Sequence, residues 1–185
     1  MGLRLQEYGE RAKEQFDPRD RASAPLRRLV GELGEAGYLC ILRGQSVQYL
    51  DRALPNREAG GLPKAGKSAF APSTAAGRVL LAYSAPELQE SILGFDADCL
   101  CGSDRSATWL HRELEEIRKA GYALDDGNWQ RGMRGVAVPI LNLTGHAIAA
   151  LKIAGPSFPV TTERIEGMVN RLMASAAKIS KEFGC

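Results

Sequence analysis

Histidine is scarce in this sequence. Only His111 and His146 occur, without metal-ligand spacing, so a zinc centre or a Ser/His or Cys/His dyad is hard to assemble. The four cysteines, Cys40, Cys99, Cys101 and Cys185, form neither a disulfide framework nor a C-x-x-C pair and read as free intracellular thiols. Long apolar runs are also missing: residues 135–141 and 147–151 are the longest stretches, far below the roughly 20 residues that cross a bilayer. No membrane partner is expected, and the charged opening from Met1 to Tyr8 lacks a signal-peptide core, so a cytoplasmic protein is expected. Charge of one sign is lacking too. The net charge is +2, and between Met1 and Glu35 seven basic residues are matched by seven acidic ones. That balance at helical spacing describes a solvated helix face, not a nucleic-acid stripe. No G-x-S-x-G, H-E-x-x-H or G-x-G-x-x-G string occurs, so catalysis has no positive support and no cofactor or metal is expected.

What is present is the ordinary balance of a globular protein, 44% apolar and 25% charged over 185 residues. One domain with one core is expected. Residues 3–16 and 20–36 are helix-like, the second with Leu26, Leu29, Val30 and Leu33 on one face and Gly37 as its stop. Tyr38 to Leu42 and Ser46 to Leu54 read as a hairpin around Arg43-Gly44-Gln45. A loop to about Ser68 follows, then a helix from Ala75 to Tyr83. Ser84-Ala85-Pro86-Glu87 reads as a capping box opening a helix toward Leu93. A helix over 104–120 carries Leu110, Leu114 and Ile117 to Gly121, and Tyr122 to Asp125 is a short strand. Gly135 to Leu141 and His146 to Ala154 form a second hairpin through Asn142–Gly145. Thr161 or Thr162 then caps a long helix whose stripe is Ile165, Met168, Val169, Leu172, Ala176, Ile179 and Phe183. These elements predict an α+β fold, one antiparallel sheet of about six strands flanked by helices.

One string demands scrutiny. Gly61-Leu62-Pro63-Lys64-Ala65-Gly66-Lys67-Ser68 matches the phosphate-binding P-loop pattern in full. The chemistry requires a buried strand leading straight into the loop and a helix leaving it. Here Pro55 to Glu58 intervene before it and Pro72 would fall in the first turns of the helix. A P-loop nucleotide-binding enzyme is therefore the alternative, and a basic loop the preferred reading. Asp125 and Asp126 are adjacent carboxylates, but strand neighbours point to opposite faces and cannot act as an acid/base pair on one substrate.

The order "EL..IRKAGYALDD" followed by "GMRGVAVPILNLTGHAIAALKIAGP" resembles the effector-binding domain of the IclR family of bacterial transcription regulators. Upstream, "STAAGRVLLA" is similar to that family's "A-T-A-x-G-K-A-L-L-A" helix opening, and "GLRLQEYGE" resembles its linker helix. The resemblance covers nearly the whole chain. It implies a GAF-like fold with a curved sheet, a linker helix over 1–16 and an effector-binding domain over 17–185. It also implies a small organic acid effector, with aromatic acids among the candidates, and self-association into dimers or tetramers. Operator DNA would be bound only through a winged helix-turn-helix domain that this sequence does not contain, so a piece of a longer regulator is expected. A stand-alone GAF-like interaction module is the further alternative.

The resemblance places the effector pocket at Thr74, Ala75 and Ala76, Asp125, Gly135, Lys152 and Ala154, with Arg134 as a candidate acid anchor. In members that bind small keto acids, Gly135 corresponds to a cysteine, and Lys152 and Ala154 to serines. Losing those donors argues against a glyoxylate- or pyruvate-like effector. From the residues alone, Lys152 and Ala154 share a strand face, and Lys152 either snorkels to water or is buried beside Asp125 or an effector carboxylate. Trp129 could be a pocket lid or an interface or surface aromatic, and Trp109 is expected to pack.

Overall fold

The computed structural model describes residues 17–55, 64–93, 106–127, 131–158 and 160–183. The linker helix expected over 1–16, Trp129, three of the cysteines and the first three residues of the P-loop string lie outside them. Six strands form one sheet, antiparallel at every pairing: β1 (Ala36–Arg43), β2 (Ser46–Ala53), β3 (Ser68–Phe70), β4 (Ala123–Asp126), β5 (Met133–Leu141) and β6 (Ala147–Pro156). Their spatial order is β3-β2-β1-β6-β5-β4. The two predicted hairpins thus become the halves of the sheet, joined where β1 pairs with β6. Central strands are buried on both faces, which is why β6 reads as a near-continuous apolar run instead of an alternating one.

The helices divide between the faces. On the outer face lie α1 (Arg19–Leu33) and the long α5 (Thr162–Glu182), whose Leu26, Leu29, Val30, Met168 and Leu172 pack on Leu39, Val136, Leu151 and Ile153. On the inner face, α2 (Ala75–Ala82), α3 (Pro86–Leu93) and α4 (Ala107–Ala120) cover Tyr38, Cys40, Tyr49, Ala137 and Ala150. The one core expected is therefore two, because a sheet buried on both sides separates the apolar side chains that alternate along its strands.

Local chemistry sets the element ends. Thr161 accepts from the Arg164 N–H and caps α5, and every residue of its expected stripe from Ile165 to Ile179 is buried, with Phe183 packing at the end. Helix α1 stops at Gly34, not at Gly37: Gly34 takes the left-handed conformation, φ 71°, and donates to the Val30 carbonyl. Gly37 instead lies inside β1, where a Cβ would come within 2.6 Å of Val30 and 2.8 Å of Leu26. The Ser84 hydroxyl donates back to the Leu81 carbonyl, 2.9 Å, so it closes α2 and does not act as the expected acceptor for α3.

The P-loop reading fails on geometry. Ser68 begins β3, paired with Gln48, and the loop before it is tied to β2 by Gly66 N–H to Tyr49 O (2.8 Å) and Tyr49 N–H to Lys67 O (3.0 Å). Lys67 and Ser68 therefore extend the sheet edge where a phosphate cradle needs a helix N-terminus. A three-residue strand followed by a short 3-10 turn with Pro72 occupies that place.

Candidate functional site

Cross-strand register decides which side chains meet on the inner face. Asp125, Gly135, Ala154 and Ala36 form one row across β4, β5, β6 and β1, and Ala123, Ala137, Lys152 and Tyr38 form the adjacent row. The first row is built almost wholly of small residues, so the sheet has a low floor there. Above it, Thr74, Ala75 and Ala76 open α2, all three fully buried. Thr74 caps that helix by accepting from the Gly77 N–H at 3.0 Å, which fixes the helix end over the sheet.

Lys152 stands out on this face. It is 2% exposed, and Asp125 is 5% exposed. The Lys152 ammonium lies 3.8 Å from an Asp125 carboxylate oxygen. Lys152 does not snorkel; it crosses β5 to reach β4. Gly135 lies beneath that path and keeps it uncrowded: a Cβ there would lie 3.0 Å from the Ile153 carbonyl oxygen, 3.1 Å from Ala154 Cβ and 3.3 Å from Lys152 Cε. Burial lowers the Lys152 pKa below the ordinary lysine value, with the Asp125 charge opposing that shift. A buried cation on a floor of small side chains is suited to holding an organic anion.

Four further residues shape the site. Cys40, opposite Ala150 in register and two residues from the Lys152 partner Tyr38, is buried, and burial pushes its thiol up to about 12, leaving it inert as a nucleophile. Tyr38 and Tyr49 pack edge to face, ring centroids 5.3 Å apart, and their buried hydroxyls have no hydrogen-bond partner among the described residues. Burial raises both phenols well above the usual tyrosine range. Arg78 is 1% exposed on α2 and donates to the carbonyls of Leu124 (2.6 Å) and Pro72 (3.2 Å). Its Nε lies 3.3 Å from Glu113, and Trp109 packs under the guanidinium. Arg78 therefore locks α2 to β4, the two elements that carry Thr74 and Asp125. A lone arginine in the apolar run of α2 and the two-residue spacings of Tyr38 with Cys40 and Val47 with Tyr49 are the sequence signals that could have exposed these positions.

Arg134 does not join the group. It lies on the outer face, gripping Asp126 through two bonds of 2.6 and 2.8 Å and reaching the Val160 carbonyl at 3.2 Å. Asp125 and Asp126 do point to opposite faces, one buried and one exposed. A cavity of about 810 Å³ opens elsewhere, lined by Arg27, Gly34, Arg52, Leu54 and Arg164 among others. It contains none of the buried, unpaired hydroxyls, so the inner face is the better candidate. The histidines are remote: His111 is exposed beside Glu115, and His146 sits in the exposed β5–β6 turn against Thr144.

The sequence matches the family described as bacterial transcriptional regulator IclR C-terminal over residues 11–181. It is 31% identical to the HTH-type transcriptional regulator BhcR of Paracoccus denitrificans over 166 residues, covering 87% of this chain and 58% of that protein. The chain thus spans under two thirds of the length of that relative. The Thermotoga maritima IclR crystal structure superposes with a TM-score of 0.84 at 29% identity, covering all of this chain and 75% of that one. The crystal structure of the C-terminal domain of Escherichia coli KdgR matches with a TM-score of 0.79 at 28% identity, covering 92% of this chain and all of that domain.

Proposed function

This chain belongs to the IclR family of bacterial transcriptional regulators, which are not enzymes, and corresponds to its C-terminal domain; from that premise we propose that it senses a small organic acid. The reading rests on one observation: Lys152 is buried on the inner face and reaches Asp125 across Gly135. A carboxylate entering between α2 and the sheet competes with Asp125 for the ammonium, and its body lies over Gly135 and Ala154 beneath Ala75 and Ala76. The donor serines and cysteine of keto-acid binders are absent, so the acid is larger than glyoxylate or pyruvate. The effector-binding domain is assigned to 17–185 after a linker at 1–16, and the domain pairs with copies of itself in the cytoplasm. Effector binding then shifts the relation between subunits and so tunes operator binding by helix-turn-helix domains beyond this sequence.

A thermal-shift screen of small organic and aromatic acids tests the reading. An acid at about 100 times its Kd stabilises by about 2.7 kcal/mol, which for a chain of this size raises Tm by about 5 to 10 °C. Magnesium-ATP is expected to leave Tm unchanged. If Lys152→Ala bound a hit acid as well as the native chain does, the reading would be wrong.

A further inference from the structure

The Lys152 site accounts for one end of a ligand. A second polar group stands on the same face and is unused. Tyr38 is 0% and Tyr49 1% exposed, and neither hydroxyl has a hydrogen-bond partner among the described residues. A buried hydroxyl without a partner costs stability, and such groups in a native structure point to a ligand or a water they are built to meet. Two of them occur side by side on adjacent strands, with rings in edge-to-face contact. They are not isolated from the Lys152 site: Tyr38 is the register partner of Lys152, and the Asp125 charge reaches the Tyr49 phenol. Tyr38 also pairs in register with Arg52, whose charge is felt at the Tyr38 phenol.

Resting on the reading of Lys152 as the effector's anion site, we infer that the effector is a two-ended acid: one carboxylate at Lys152, and a second carboxylate or carbonyl oxygen accepting from the Tyr38 and Tyr49 hydroxyls. Between Lys152 and Tyr49 the spacing excludes the smallest acids. Strands β2 and β6 are separated by β1, so Tyr49 and Lys152 spring from backbones about 10 Å apart. Lys152 then leans away from Tyr49, toward β4. A two- or three-carbon acid satisfies one end or the other. A longer chain spans both by crossing β1, the strand between them.

Isothermal titration of succinate, glutarate, adipate and pimelate, with hexanoate as the one-ended control, tests this on the native chain and on Lys152→Met, Tyr38→Phe, Tyr49→Phe and the double phenylalanine variant. The longer diacids should bind at least about tenfold tighter than hexanoate, the worth of one buried hydrogen bond. The double phenylalanine variant should erase that preference while keeping hexanoate binding. Because neither hydroxyl has a partner among the described residues, the Tm of this variant without ligand should stay the same or rise, which a hydroxyl holding the fold together would not allow. Equal binding of diacids and hexanoate, or an unchanged preference in the double variant, overturns the two-ended ligand and leaves Lys152 as the anion site. If no acid binds, or if Lys152→Met leaves binding unchanged, both readings fall.

Discussion

Removing either member of the buried Lys152–Asp125 pair leaves the other ionisable group 2–5% exposed without its neighbour. Breaking such a pair typically costs 3–5 kcal/mol, since the remaining group stays desolvated. The separation of 3.8 Å is longer than a hydrogen bond, so the lower end applies. Lys152→Met should destabilise by about 3 kcal/mol, a fall of about 6 to 12 °C in Tm. Asp125→Leu should cost a comparable amount. The double variant replaces the pair with apolar side chains on a face already lined by Ala36, Ala137 and Ala154, and buried pairs replaced in this way are often neutral or stabilised. It should therefore be more stable than either single variant, with a coupling of at least about 2 kcal/mol. Urea denaturation of the four proteins measures the cycle. Additive losses, or single variants that each lose under about 1 kcal/mol, would refute the claim that the two groups form one buried unit.

The same lysine predicts a pH dependence. Its pKa is lowered in the folded chain, so between that value and the ordinary one near 10.4 the unfolded chain holds a proton that the folded one does not. Stability contributed at Lys152 must then rise with pH through that window; the native-minus-Lys152→Met difference in urea midpoint should climb toward pH 10, and a falling difference contradicts the burial. Gly77→Ala should lose at least about 3 kcal/mol, because a Cβ there would sit 2.0 Å from the Ala71 carbonyl oxygen; a urea midpoint near the native one would mean that α2 is not pressed on that turn. Cys40 is buried with its thiol held near 12, so iodoacetamide at pH 8 should leave the Cys40 peptide unmodified in native protein and label it in urea. Labelling without denaturant would show the inner face to be open.

Most of the fold was legible because it rests on local signals. The long stripe of α5, both hairpin turns and the glycine stop after Ala120 are short-range patterns, and each appears as expected. The stop of α1 was misplaced because Gly34 and Gly37 look alike in sequence; only packing against Val30 and Leu26 distinguishes the glycine that ends a helix from one squeezed beneath it. Strand β3, at three residues, is too short for a period to show. The candidate site was half legible. Residue alternation placed Lys152 and Ala154 on one face and separated Asp125 from Asp126. It could equally have removed Arg134, the neighbour of Gly135 and so on the opposite face. Tyr38, Tyr49 and Arg78 were missed for another reason. The hydroxyl pair depends on a register between β1 and β2 that shifts at Leu39/Cys40, and Arg78 finds its acceptor 46 residues away at Leu124. Neither is written in any local window.

The central claim is that the inner face, at Lys152, receives the carboxylate of an organic acid. A crystal structure of the chain with an acid identified by thermal shift tests it most directly. The account predicts the acid between α2 and the sheet, its carboxylate within hydrogen-bond distance of Lys152 Nζ and its body over Gly135 and Ala154. Density for the acid in the cavity lined by Arg27 and Arg164 instead, with the Lys152–Asp125 contact undisturbed, would contradict it.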